Sequence, residues 1–229
     1  MMENNSVPTP TPPSDATTTY PATFNVDYPD RPLDRVSTAF RLVTIIPIAI
    51  VLGALTGGGS NNGTTYTVHG TIRERTYGVA VTAGILFIST LLMIVFRQKY
   101  PRWWYDWNLQ FSRFSARVSS YLALLRDEYP STDEEQAVHL NFPYPDAKQL
   151  NQWLPLVKWF LAIPHYIVLF CMAIAAAFGI IFAWFAILFT GRYPKSIFDF
   201  VVGVQRWGLR VAAYAVILVT DEYPPFSLD

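Results

Sequence analysis

Three apolar runs set the terms on which this chain can fold. Residues 40–56, 79–96 and Leu154–Thr190 hold nearly all of its hydrophobic excess. The first two are 17 and 18 residues long, at the lower end of the roughly 17–25 needed to cross about 30 Å of hydrocarbon. The third runs 37 residues and is interrupted only by Pro155, Lys158, Pro164 and His165. One straight helix of that length would reach about 55 Å, so the run reads as two spans joined by a tight turn near 173–177. The expectation is four spans. Composition agrees: 52% of residues are hydrophobic and 15% charged, against about 25% charged in an ordinary soluble domain.

Charge placement predicts an orientation. With 57–78 on the outside, Arg73 and Arg75 are external and the other fifteen of the seventeen Lys and Arg residues are not. That asymmetry puts both termini in the cytoplasm. A formal net charge of zero gives no electrostatic case for a nucleic-acid partner. Residues 1–22 have neither the basic start nor the apolar stretch of a signal peptide, and their Pro/Thr bias reads as a disordered tail. The single cysteine, Cys171, excludes an intramolecular disulfide and a cysteine cluster for metal.

Laid on itself, the chain matches. FNVDYPD at 24–30 pairs with LNFPYPD at 140–146, and Arg41 and Pro47 fall on Lys158 and Pro164. Tyr100, Pro101, Asp106, Arg113, Arg117 and Tyr121 stand opposite Tyr193, Pro194, Asp199, Arg206, Arg210 and Tyr214 at a constant offset of 93. One residue of slip then brings Asp127–Pro130 onto Asp221–Pro224. Two tandem units follow: residues 23–137, with spans at about 40–56 and 79–96, and residues 138–229, with spans at about 154–172 and 174–190. The expected fold is an all-α membrane protein of four transmembrane helices in two tandem helical hairpins. Each hairpin is followed by an amphipathic interfacial helix, at 103–125 and 197–219, and a pseudo-two-fold axis lies along the membrane normal. The first unit carries an insert at 57–78 whose alternating TTYTVHGTIRER predicts an external β-hairpin. Seven Tyr-Pro pairs, at Tyr20, Tyr28, Tyr100, Tyr129, Tyr144, Tyr193 and Tyr223, mark helix boundaries and read as interfacial elbows.

The segment most suited to chemistry is the helix after each elbow. At 100° per residue Asp106, Arg113 and Arg117 share a narrow stripe among aromatic neighbours, as do Asp199, Arg206 and Arg210. Such a helix suits an in-plane position at the headgroup level. Two uses of the stripe stand open. Asp106 can pair with Arg206 or Arg210, and Asp199 with Arg113 or Arg117, docking the two helices. Alternatively, two arginines one turn apart grip the phosphate of an anionic lipid. His165, inside an apolar run, is a weak candidate axial ligand for a haem or chlorin. His69 and His139 stand at no metal-site spacing, so neither metal nor cofactor is expected. The carboxylates Asp127, Glu128, Asp133, Glu134 and Glu135 read as a solvated connector. No phosphate loop, zinc motif or nucleophile elbow occurs.

The block RYPKSIFDFVVGVQRWGLRVAAYAVILVTDEYPPFSL at 192–228 resembles a bacterial inner-membrane family of unknown function, marked by RYP, an aromatic–Asp–aromatic, RW-x-x-RV-x-x-Y and T-D-x-YPPF. The first unit departs at Phe114, Arg126 and Ser131. The resemblance implies a multi-pass location in a bacterial cytoplasmic membrane and tandem copies, and no activity. From the residues themselves the leading expectation is a non-enzymatic structural or accessory subunit of a larger membrane assembly, in contact with membrane lipids and membrane-protein partners. An anionic-lipid-handling protein and a small transporter are the alternatives; the spans' lack of carboxylates argues against the transporter.

Overall fold

The computed structural model describes residues 20–56, 64–68, 71–75, 81–132 and 134–229. The elements run β1 (Thr23–Val26), α1 (Arg35–Thr44), α2 (Ile46–Thr56), β2 (Thr64–Val68), β3 (Thr71–Arg75), α3 (Val81–Arg97), α4 (Arg102–Leu122), β4 (Val138–Asn141), α5 (Leu154–Leu161), α6 (Ile163–Thr190) and α7 (Lys195–Ala215). The proposed tail up to residue 19, His69 and Asp133 lie outside the described residues.

At the centre is a two-stranded ribbon. β1 and β4 pair antiparallel, with Phe24 opposite Leu140 and Val26 opposite Val138. Side chains alternate along a strand, so these four apolar residues turn inward and are buried together. β1 packs on α7 and β4 on α4. Tyr20 and Ala22, at the end of the stretch read as tail, are buried in the same core.

The four-span, all-α expectation is overturned. Among the described residues one helical segment, Leu154–Thr190, is long and apolar enough to cross a membrane, or two if α1 and α2, bent by 48°, count as a single span. The ribbon β1–β4 and the hairpin β2–β3 also rule out an all-helical class. No turn interrupts 173–177. Ala173 and Ala175–Ala177 are strong helix formers and the nearest breaker is Gly179, so α6 continues for 28 residues and packs lengthwise on α7. Gly179 serves that packing: a Cβ there would sit 3.0 Å from Ile197.

The first half is no hairpin either. Ile45 and Ile48 of the α1–α2 segment pack with Phe114, Val118 and Tyr121 at the end of α4. Thr90 of α3 accepts a hydrogen bond from Trp104 Nε1 at its start (2.8 Å). α2 and α3 thus meet α4 in the order a single antiparallel helix would. Their lengths, 11 and 17 residues, sum to the 28 of α6. The runs were apolar enough for four spans, but apolarity alone does not say where a helix turns back.

Of the seven Tyr-Pro pairs two abut a helix, and the other five lie in the ribbon and loop segments. Pro101 and Pro194 are extended N-caps of α4 and α7. Their tyrosines are not interfacial: Tyr100 and Tyr193 are core residues, and burial raises both hydroxyl pKa values above the ordinary tyrosine range. Beyond α4 and α7 the chain turns through left-handed Leu124 (φ 63°) and Leu218 (φ 61°), both buried.

Candidate functional site

The stripe of α4 and the stripe of α7 form no ion pair with each other among the described residues. Asp106 and Asp199 are exposed, and Asp199 pairs with Lys195 one turn away at 3.6 Å. The two helices touch instead through Ser120 Oγ and Gln205 Oε1 at 3.1 Å. The arginines face the ribbon. Arg113 Nε donates to Leu140 O (2.9 Å), and Arg206 Nε donates to Phe24 O (2.8 Å). Those two carbonyls belong to residues paired across the ribbon, so each outer edge is held by one guanidinium. Arg206 also donates to Leu228 O (2.9 Å), fixing the C-terminal segment, and Arg117 donates to Ser131 O (2.9 Å). Arg210 lies over the Tyr20 ring at 5.8 Å. Burial, then the neighbouring Arg206, pulls its pKa below the usual arginine value.

Two buried cations carry more of the local electrostatics, and the sequence reading aligned them without giving them a role. Arg41 is 2% exposed and contacts Asp127 Oδ1 at 2.5 Å; Lys158 is 0% exposed and contacts Asp221 Oδ1 at 2.7 Å. Each also donates to a backbone carbonyl beside its carboxylate, Arg126 O (2.7 Å) and Thr220 O (2.6 Å). The carboxylates accept once more from the segment ahead of the helix, Asp127 from Asp34 N (2.8 Å) and Asp221 from Asn151 N (2.6 Å). A buried charge persists only when paired and hydrogen-bonded, and these loops supply both. The usable signal was a lone cation in the first and third apolar runs, matched in position, with an Asp-Glu-Tyr-Pro at the end of each half. Asp127 is thus an ion-pair partner and not a solvated connector residue.

His165 is wholly buried in an aromatic box. Its Nδ1 accepts from Trp207 Nε1 (3.2 Å), Phe226 stacks on the ring at 4.0 Å, and Nε2 is sealed without a hydrogen-bond partner among the described residues. Such a ring has no open face for a macrocycle. His139 is exposed and reaches Asp27 at 3.1 Å. Among the described residues no three His, Cys, Asp or Glu side chains group as metal ligands.

The same bonds recur at positions the self-alignment pairs. Tyr28 Oη donates to Tyr193 O (2.6 Å), and Tyr144 Oη donates to Tyr100 O (2.7 Å). In each bond the partners come from different halves, as they do in the Arg113–Leu140 and Arg206–Phe24 contacts. Guanidinium and phenol groups of each half thus reach backbone carbonyls of the other, while Arg41 and Lys158 close their ion pairs within their own halves. No curated protein and no solved structure matches the chain. Residues 155–227, which comprise nearly all of α5, α6, α7 and most of the terminal segment, match a family described as a domain of unknown function (DUF4389).

Proposed function

We propose that this chain is a non-enzymatic membrane protein, a structural or accessory subunit of a larger assembly in a bacterial cytoplasmic membrane. The apolar faces of α1–α3, α5 and α6 seat it in lipid, and the ribbon and terminal segments form its polar side. The observation that carries this is the bareness of Leu154–Thr190: only 11% of its most apolar window is buried within the protein. The central helix of a soluble domain is covered by its own fold. Here Phe170, Phe178, Phe182 and Phe189 are all more than 60% exposed. The same surface continues through Phe40, Val43 and Ile50 on the first two helices and Ile88, Leu92 and Phe96 on α3. Soluble monomers rarely leave so large an apolar patch open to water. Exposed Trp103, Trp107, Trp153 and Trp159 are of the type that favours the headgroup level.

Two further features support the reading. Tyr20 Oη lies within hydrogen-bond distance of Arg210 O and Glu222 O (3.4 and 3.2 Å), a proximity that favours both ends of the described chain on the same face of the membrane. The recurring bonds favour two tandem copies that exchange contacts across a pseudo-two-fold axis. Their polar groups are committed to carbonyls and ion pairs, which favours a holding role over turnover.

Carbonate washing of membranes carrying the full chain tests the seating. The protein is expected in the pellet, released only by detergent; recovery as a monodisperse species in buffer overturns the proposal. Cross-linking in those membranes tests the accessory role, which predicts a stoichiometric protein partner and fails if only monomer is seen.

A further inference from the structure

We infer that the seam between α1 and α6 binds one anionic glycerophospholipid, with its phosphate on Arg31, Arg35 and Arg192 and one acyl chain in the groove beside them. This rests on the membrane seating proposed above.

The groove has a volume of about 270 Å³ and is walled by Thr38, Leu122, Leu124, Ile180, Ile181 and Trp184, with Arg41 at its edge. That is below the roughly 300–1,000 Å³ of sites that enclose a whole small molecule, so it accommodates part of one. Leu122 and Ile181 are exposed and join the groove to the surrounding apolar surface. Arg41 already has its counter-charge in Asp127 at 2.5 Å. What enters the groove is therefore uncharged and apolar, as an acyl chain is.

The polar end of the same seam is cationic. Trp184 Nε1 donates to Thr38 O (3.1 Å), and Leu33 N donates to Gly191 O (2.8 Å), so α1 and α6 are tied at both levels. Arg35 lies one turn before Thr38, and its Nε is 3.7 Å from where a Cβ on Gly191 would sit. Arg192 follows directly and shares a hollow of about 360 Å³ with Arg31. All three arginines are exposed, and none enters an ion pair among the described residues. Of the carboxylates close by, Asp127 is held by Arg41 and Glu128 by Arg126, which leaves Asp30 in the hollow and Asp34, accepting from Val36 N at the start of α1 (2.9 Å), as two carboxylates against three guanidinia. From Trp184 to Gly191 is seven residues, about 10 Å of helix, a fitting separation between a phosphate and the upper part of its acyl chain. Guanidinium matches phosphate bidentately, and cations at this level attract anionic lipid.

The test uses full-length protein, delipidated in mild detergent and examined by native mass spectrometry with phosphatidylglycerol or phosphatidylcholine of identical chains. A single phosphatidylglycerol adduct is expected, with phosphatidylcholine bound about tenfold more weakly. Arg35→Gln with Arg192→Gln should reduce phosphatidylglycerol to the phosphatidylcholine level. Ile181→Trp, which fills the groove and leaves the arginines alone, should weaken both lipids. Equal retention of the two lipids, or undiminished phosphatidylglycerol binding by the double arginine variant, overturns the inference. So does inorganic phosphate displacing the lipid at equal concentration, since the groove would then contribute nothing. Each of these failures can occur in a chain that stays in the carbonate pellet, which separates them from failure of the seating itself.

Discussion

Arginine and lysine answer burial differently, and the two buried ion pairs expose the difference. Removing one member of such a pair costs about 3–5 kcal/mol when the remaining charge is trapped. Arginine cannot shed its proton, whereas a buried lysine can. Asp127→Asn, which strands Arg41, is therefore expected to destabilise by about 3 kcal/mol at every pH of the native range. Asp221→Asn, which strands Lys158, should cost less, and its cost should shrink as pH rises and the amine is deprotonated. Thermal unfolding of both variants in mild detergent between neutral and alkaline pH checks this; identical pH profiles would contradict it. A second residue-scale case is backbone strain. α6 ends on Gly191 at φ 73°, while at the aligned position after α3 the exposed Gln98 is held at φ 43°. A left-handed L-residue costs about 1–2 kcal/mol and glycine repays part of that in entropy. Gln98→Gly should stabilise by about 0.5–1 kcal/mol, read as a raised unfolding midpoint, whereas Gly191→Ala should lower it.

Between elements, the arginine clamps replace what a wider sheet would supply. A two-stranded ribbon leaves both outer edges unpaired, and on its own it is marginal. Arg113 and Arg206 fill one edge each at paired residues, Leu140 and Phe24. Replacing either arginine with methionine keeps the apolar stem and leaves a buried carbonyl unmet, at a cost of about 1–3 kcal/mol. Because both clamps act on one ribbon, the second loss should cost less than the first. A double-mutant cycle on Arg113→Met and Arg206→Met is expected to be non-additive, and strict additivity would show that the edges are held independently. The stripes were legible from a 100° period. That they face a ribbon carbonyl, and not each other or solvent, was not, because the ribbon joins segments more than a hundred residues apart.

At the scale of the molecule, one arrangement accounts for both halves: a long apolar helix laid antiparallel on a 21-residue amphipathic one. In the second half the long helix is α6; in the first it is α2 followed by α3, with residues 57–80 between them. Deleting those 24 residues (80 − 57 + 1) is expected to fuse α2 and α3 into one helix of the length of α6. The variant should keep its unfolding midpoint within a few degrees, with helix content per residue raised in circular dichroism. Loss of cooperative unfolding would mean that the insert holds the two helices in place.

The sequence alone determined the apolar surface, the helix starts after Tyr100 and Tyr193 and the β2–β3 hairpin, because each follows from local composition or from a short pattern. It also carried Arg41 and Lys158 to matching positions. Tertiary structure alone decided that the apolar runs lie along α4 and α7 without doubling back, and that strand, tyrosine and arginine of one half are fastened to the other. The reason is physical: periodicity reports which face of a helix is apolar, while the partner of a buried cation or a strand edge depends on chain segments brought together only by folding.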